Sequence, residues 1–427
     1  MARPELMAVG DSIYNGVRSL TIDAGMAKLS VPAQVARAFN WGFVAPDYPR
    51  NVLFDFERLM RQPDLFLNLR QIIIDNVHDW LADKDWSQHD AFDNLAIAQA
   101  QIKDLTSFTY RDHVGQITRL LDAVAGSANL QIGPLMDLHM AVNGCFLLNP
   151  ANDGAAAVAP LSPLEIVALR QPKRLLVNIG INDGIWTVCL EATEDKLDDN
   201  LAAILTQITG TLGPALLKLR QTNAVDNIYF NLLPKPSAVA NLTPPRNPPA
   251  CPPANGYYPR YVGRLGQIGG LTSQGISDVD TKVAKLNQDI RAALGAMFAP
   301  VGGLAFVDIF AAMAGQDDKH CRETVPVKVN HGRVQWHLTN KPLQSVAMLG
   351  GFVQGGLFGL DNLHPSGPGY AVLARAVCDA ISKTETIPIP RPIVMQDVFD
   401  ADTLLQNLPG ALDFEDFLLD VAVSFVS

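Results

Sequence analysis

Four short apolar runs govern what this chain can become. They are LMAVG at 6–10, the core of KRLLVNIGIND at 173–183, NIYFNLLP at 227–234, stopped by its proline, and the start of LAFVDIFAAM at 304–313. Each has the length of a strand, is apolar almost throughout, and stops at Gly, Asn, Asp or Pro. Such runs read as buried strands. A fifth stretch, AFDNLAIAQA at 91–100, reads as a strand leaving into a loop. Between these runs lie helical patterns, at 30–41 (where Val31, Val35, Ala38 and Phe39 recur at three and four), 71–83, 109–126, 196–222, 278–297 and 369–382. The pattern at 196–222 carries a predicted break around Gly210–Pro214. Strands alternating with helices predict a parallel sheet covered by helices on both faces.

The 427 residues suffice for one large domain or two ordinary ones. Hydrophobic residues make up 48% and charged residues 18%, which fits a globular chain with a sizeable core. The net charge of −10 argues against a general nucleic-acid binder. No apolar run reaches membrane-spanning length; the closest, 346–360, is short, glycine-rich and contains Gln354. The first residues run into a strand without an apolar leader, which slightly favours the cytoplasm. The five cysteines are scattered without zinc-ligand spacing, although Cys251 and Cys321 both fall in loop-like segments and are candidates to pair. The run DDKHC at 317–321 is contiguous, so its side chains would not converge on one metal ion.

Residues 144–165 read as a connection, 234–259 as a Pro-rich extended loop, and 316–360 as a long irregular insertion. After residue 385 the chain changes character, into a polyproline-like strap at 386–394 and an acidic amphipathic helix at 412–426. The expected organisation is one domain over 1–385, with insertions near 130–170, 234–277 and 316–360, and a C-terminal segment, 386–427, packing on it.

In such a sheet, the loops after the strands converge on one crevice. Three of these loops end in unusual polar groups. They are Gly10-Asp11-Ser12, then NIGINDG with Asn182 and Asp183, then GLDNLHPSGPGY with Asp361 and His364. A serine hydroxyl needs a base to take its proton, and a histidine does so near neutral pH. The imidazole needs an acceptor on its other nitrogen, and Asp361 sits three residues before His364, within reach of one turn. Asn182 and the Ser12 N–H are donors for a developing oxyanion, each worth about 10²–10³ in turnover. Asp183 competes with Asp361 for the role of acid, and Asp361 has the better spacing. The remaining seven histidines are expected on the surface or in packing.

These blocks resemble the SGNH/GDSL family of serine esterases and lipases. Gly10-Asp11-Ser12 matches the first block, Gly180-Ile181-Asn182-Asp183 the third, and Asp361-Asn362-Leu363-His364 the fifth, in order across about 6–383. The resemblance implies a flavodoxin-like α/β/α sandwich, with Ser12 as nucleophile, His364 as base, Asp361 as its partner and Asn182 as an oxyanion donor. It implies no metal and no organic cofactor. The second block departs from the family pattern. Its best match, DNLAIAQAQ at 93–101, places Gln99 where the family has a glycine whose N–H completes the oxyanion hole. Gln99 would donate from its backbone or its side-chain amide; Gly115 and Gly126 are fallback positions in poorer context. The implied partner is a small-molecule ester with an apolar acyl or alcohol part, walled by 346–360 or by the loop carrying Tyr257 and Tyr258. Acyl transfer by the same triad, or an SGNH-fold binding protein with little activity, are the rival readings.

Overall fold

The computed structural model describes residues 3–83, 86–126, 132–244, 256–263, 270–319, 326–346 and 351–410. Its centre is a parallel sheet of β1 (Leu6–Gly10), β2 (Arg174–Asn178), β3 (Asn227–Asn231) and β4 (Leu304–Val307), in that spatial order. The register runs straight: Ala8 lies opposite Leu176, Leu176 opposite Tyr229, and Tyr229 opposite Ala305. Leu6 to Val9, Leu175 to Val177 and Ile228 to Phe230 are all buried, as a sheet covered on both faces requires.

Helices supply the two outer layers. The labelled ones are α1 (Ser12–Asn15), α2 (Val31–Ala38), α3 (Tyr110–Gly126), α4 (Ile132–Leu148), α5 (Ser273–Phe298) and α6 (Gly367–Glu385). On one side α2 packs against α6, and α6 touches β3 and β4. On the other, α5 touches β4, and the helix Gly213–Gln221 joins α5 to Pro163–Arg170, which touches β1. The architecture is the expected α/β/α arrangement around a parallel sheet.

Several local expectations are corrected. The stretch 91–100 forms no strand; Asn94 makes a single bridge to Ala8, and residues 93–97 trade three backbone hydrogen bonds with the edge of β1. Its side chains are used elsewhere, since Asn94 bonds Tyr14 and Ala96 rather than continuing a ladder. The first part of the expected connection at 144–165 belongs to α4, whose Leu138, Ala141, Val142, Cys145 and Phe146 are buried. No break occurs near Gly210. The helix Leu197–Gln207 passes through a π turn, Ile208–Leu212, into Gly213–Gln221. Pro214 lies directly after the π turn, where the local change in winding accommodates a residue without an N–H inside a continuous helix. Leu197–Gln221 is long and apolar enough to cross a membrane by length and composition. Its Leu201, Ile204, Ile208, Leu212, Leu216 and Leu219 form a buried stripe, while Asp198, Asp199, Lys218 and Arg220 lie off it, a core-facing pattern.

The insertions hold short antiparallel pieces. Leu242–Thr243, Arg260–Gly263 and Leu271–Thr272 form one small sheet, and Val327–His331 pairs with Val334–Leu338. Gln344–Val346 pairs with Gly351–Gln354. Two helices absent from the sequence reading, Met395–Ala401 and Thr403–Gln406, follow the strap, and the first packs on α6. The helix expected at 412–426 and the Cys251–Cys321 pair lie outside the described residues. Cys145, Cys189 and Cys378 are buried free thiols.

Candidate active site

The serine is held at a junction of strand ends. β1 stops at Gly10, whose φ is +149°, and a Cβ there would lie 2.0 Å from the Asn178 carbonyl oxygen. A glycine is what lets the ends of β1 and β2 close on each other. Asp11 then caps the next turn: its Oδ1 accepts from the Ile13 N–H at 3.1 Å and from Asn178 Nδ2 at 2.7 Å. Asn178 Oδ1 accepts from Asn231 Nδ2, and Asn231 Oδ1 accepts from the Tyr14 hydroxyl, both at 2.8 Å. One chain of hydrogen bonds thus ties three neighbouring strand ends beneath Ser12. The second oxygen of Asp11 is buried with no hydrogen-bond partner among the described residues. Burial pushes the Asp11 carboxyl up to about 7, against the opposing pull of Ile13, Asn178 and His364.

The histidine comes from a tight turn after the last insertion. Asp361 Oδ1 accepts from the Leu363 and His364 N–H groups at 3.0 and 2.9 Å, which closes the turn. Asn362 takes a left-handed φ of +57° inside it. Asp361 Oδ2 lies 2.7 Å from His364 Nδ1 and accepts from the Leu20 N–H at 2.9 Å. His364 Nε2 lies 3.0 Å from Ser12 Oγ, across 352 positions of sequence. All three side chains are buried. Burial raises the Asp361 carboxyl, but the adjacent His364 and the hydrogen bonds from His364 and Leu363 outweigh it, so the carboxyl sits below its ordinary value. A charged Asp361 fixes the proton on Nδ1 and leaves Nε2 free to face the serine hydroxyl.

Two of the residues expected to supply oxyanion donors, Asn182 and Gln99, line a neighbouring cleft of about 470 Å³ together with Gln101, Phe108, Met140 and Trp186. That volume falls in the range of small-molecule sites. Asn182 stands in the turn Ile181–Asp183 after β2 and uses one amide hydrogen on the Ala100 carbonyl at 3.0 Å. Gln101 Nε2 donates to the Asn182 carbonyl at 3.2 Å. Gln99 has a φ of +68°, the conformation that a glycine would adopt with least cost. Its backbone N–H meets no acceptor among the described residues. The loop is fixed around it: Ala98 N–H donates to Asn143 at 2.9 Å, and Asn15 Nδ2 donates to the Ala96 carbonyl at 2.7 Å. Gly115 and Gly126 both lie within α3.

Trp186 joins the two parts of the site. Its ring lies 5.5 Å from that of His364, and it also lines the cleft. Asp183 accepts from the Ile102 N–H at 3.2 Å instead of serving His364, and burial raises it to about 6. The cleft walls come from residues 99–108, α3, α4, Asn182 and Trp186, not from the described part of 346–360 or from Tyr257 and Tyr258. His113 and His139, on α3 and α4, are buried without hydrogen-bond partners among the described residues, and burial lowers each to about 3. Among the described residues no group of three His, Cys, Asp or Glu side chains is arranged to hold a metal ion. Asp317 accepts from Lys235 at 2.8 Å; His320 and Cys321 lie outside the described residues.

Set against protein-family models, residues 6–377 match GDSL-like Lipase/Acylhydrolase. The chain belongs to this family. The match opens on β1 and ends within α6, so it takes in Ser12, Asn182, Asp361 and His364. No curated protein and no solved structure matches the chain. What the GDSL-like family motifs do not single out are Trp186, Leu20 and the pair Asn178 and Asn231. The two asparagines left a trace in the sequence, since β2 and β3 both end an apolar run on Asn.

Proposed function

We propose that the protein hydrolyses carboxylic esters through an acyl-enzyme on Ser12. His364 takes the serine proton as Oγ attacks the ester carbonyl, then returns it to the leaving alcohol. Asp361 holds the imidazole in the required tautomer. Asn182, the Ser12 N–H and the Gln99 N–H steady the negative oxygen. Water, activated by the same histidine, releases the acid and frees the serine. The scheme calls on no cofactor.

One observation carries this reading: a hydroxyl, an imidazole and a carboxylate joined at 3.0 and 2.7 Å, from opposite ends of the chain, inside a GDSL-like hydrolase family member. The adjoining cleft mixes Phe108, Leu120, Met140 and Trp186 with four amide side chains and with the charged Lys103, Asp104, Arg119 and Asp137. That lining suits a small ester with both apolar and hydrogen-bonding parts. The test is release of nitrophenol from p-nitrophenyl acetate and butyrate by wild type and Ser12→Ala. Turnover by wild type that is lost in the variant supports the reading. Equal, slow release by both contradicts it. Product analysis with added alcohol separates hydrolysis from acyl transfer.

A further inference from the structure

Arg18 is a cation buried to 2% exposure a few residues past the candidate nucleophile. Its Nε and Nη2 grip the two oxygens of Glu57 at 2.7 and 3.0 Å. Its Nη1 reaches Asp402 at 2.9 Å, and Nη2 also donates to the Thr403 hydroxyl. Arg18 opens a two-residue turn, in which Arg18 and Thr21 exchange backbone hydrogen bonds at 2.9 and 3.1 Å. Both central residues are left-handed, Ser19 at +54° and Leu20 at +61°. Turns of this kind normally take Asn and Gly there. Serine and leucine adopt that conformation under strain, and strain persists where the surroundings over-determine it.

The turn delivers two contacts to the loop of the acid. The Leu20 N–H donates to Asp361 Oδ2, and Ser19 Oγ accepts from the Leu360 N–H at 3.0 Å while donating to Glu57. Asp402 acts on the other side of the same loop. Its Oδ2 accepts from the Gly367 N–H at 2.7 Å, at the start of α6, three residues past His364. Its Oδ1 accepts from Arg18 and from the Leu404 and Leu405 N–H groups. Asp402 is fully buried and lies beyond the residues that match the family model.

We propose that Arg18 and Asp402 form a clamp that holds the strained Ser19–Leu20 turn and the Asp361–His364 loop in register, with the segment after α6 supplying half of it. Both are positioning residues; neither touches the reacting atoms. The proposal rests on the reading of Ser12, His364 and Asp361 as the triad. A guanidinium fits the task because one planar group serves Glu57 twice and Asp402 once, which an ammonium cannot do.

The experiment is kinetics of Arg18→Lys and Asp402→Asn on p-nitrophenyl butyrate, with thermal melts, repeated in an Asp361→Asn background. The expected result is a fall in kcat of about tenfold or more, KM changed by less than about threefold, and a cooperative melt. In the Asp361→Asn background the further loss should shrink to less than about threefold, because the clamp has no carboxylate left to aim. A generally structural role gives the same further loss in both backgrounds and overturns the proposal, as does near-wild-type kcat in the folded variants. Should either variant fail to fold, Ser19→Ala removes one hydroxyl and spares the ion pairs. It should lower kcat by about three- to tenfold, and unchanged kcat overturns the proposal. Wild type without turnover would sink the hydrolase reading instead. The clamp is then read by the downfield NMR signal of the His364 Nδ1 proton bonded to Asp361, which Asp402→Asn should move upfield or broaden as that 2.7 Å contact loosens. A signal unchanged in position and width overturns it.

Discussion

Replacing Asp361 by asparagine changes one atom and sets four hydrogen bonds against each other. In the native site all four incoming groups are donors: Leu363 N–H and His364 N–H on Oδ1, His364 Nδ1–H and Leu20 N–H on Oδ2. An asparagine must present its NH₂ to one of these pairs. Facing Oδ1's pair, it meets two backbone donors and opens the turn that carries His364. Facing Oδ2's pair, it drives the imidazole proton onto Nε2, the nitrogen that should accept from Ser12. In a triad the wrong tautomer costs about 10⁴ in kcat, which is about 5 kcal/mol of barrier at 1.36 kcal/mol per tenfold. The folded state also loses at least one hydrogen bond to a buried charge, worth about 1.5–3 kcal/mol. The assay is kcat on p-nitrophenyl butyrate beside a thermal melt. The reasoning predicts a loss of about 10³–10⁴ in kcat with a lowered Tm. A folded Asp361→Asn protein within about tenfold of wild type refutes it.

Three further outcomes follow from the same geometry. Gln99→Gly relieves a φ of +68° and keeps the N–H. If the backbone donates to the oxyanion, kcat stays within about threefold; a fall of about 10² or more would assign the donor to the Gln99 amide. Gly10→Ala drives a Cβ to 2.0 Å from the Asn178 oxygen, so it should cost about 3 kcal/mol or more, read as loss of soluble protein or a large drop in Tm; an unchanged melt contradicts the strand junction described above. Asp11, raised to about 7 when folded, keeps its proton over a range where the unfolded carboxyl has lost it. Its contribution is therefore full below about pH 4 and is lost as pH climbs to about 7. Asp11→Asn should gain on wild type in Tm between pH 5 and pH 8, and a difference that is flat or falls with pH contradicts this.

The sheet was legible because buried parallel strands leave unbroken apolar runs. The runs at 6–10, within 173–183 and at 227–234 stand out against any helical period, and each holds a strand; LMAVG kept its bounds, while the third strand ends at Asn231, before the proline expected to stop it. The edge at 91–100 misled for a physical reason. Its apolar residues are buried and its backbone follows the edge of β1 as far as Ile97, but only Asn94 pairs as a bridge, and the left-handed Gln99 then carries the chain into the loop that lines the cleft. Helix α4 was masked by its uniform apolarity, which gives no amphipathic period to detect. Of the candidate site, Ser12, Asp361 and His364 could be named from local motifs, since each sits on a turn whose chemistry is written in adjacent residues. Arg18, Glu57 and Asp402 could not. Their partners are separated by 39 and 384 positions, and a lone Arg or Asp carries no sign of burial. Trp186 was missed for the same reason: its meeting with His364 is set by packing, not by spacing.

The most direct measurement is labelling of the intact protein with a fluorophosphonate, followed by mapping of the modified peptide. A serine whose Oγ lies 3.0 Å from an imidazole held by a buried carboxylate should react at Ser12 alone, and His364→Ala should abolish the reaction. Modification at another residue, or a Ser12 that stays inert beside an intact His364, would contradict the account.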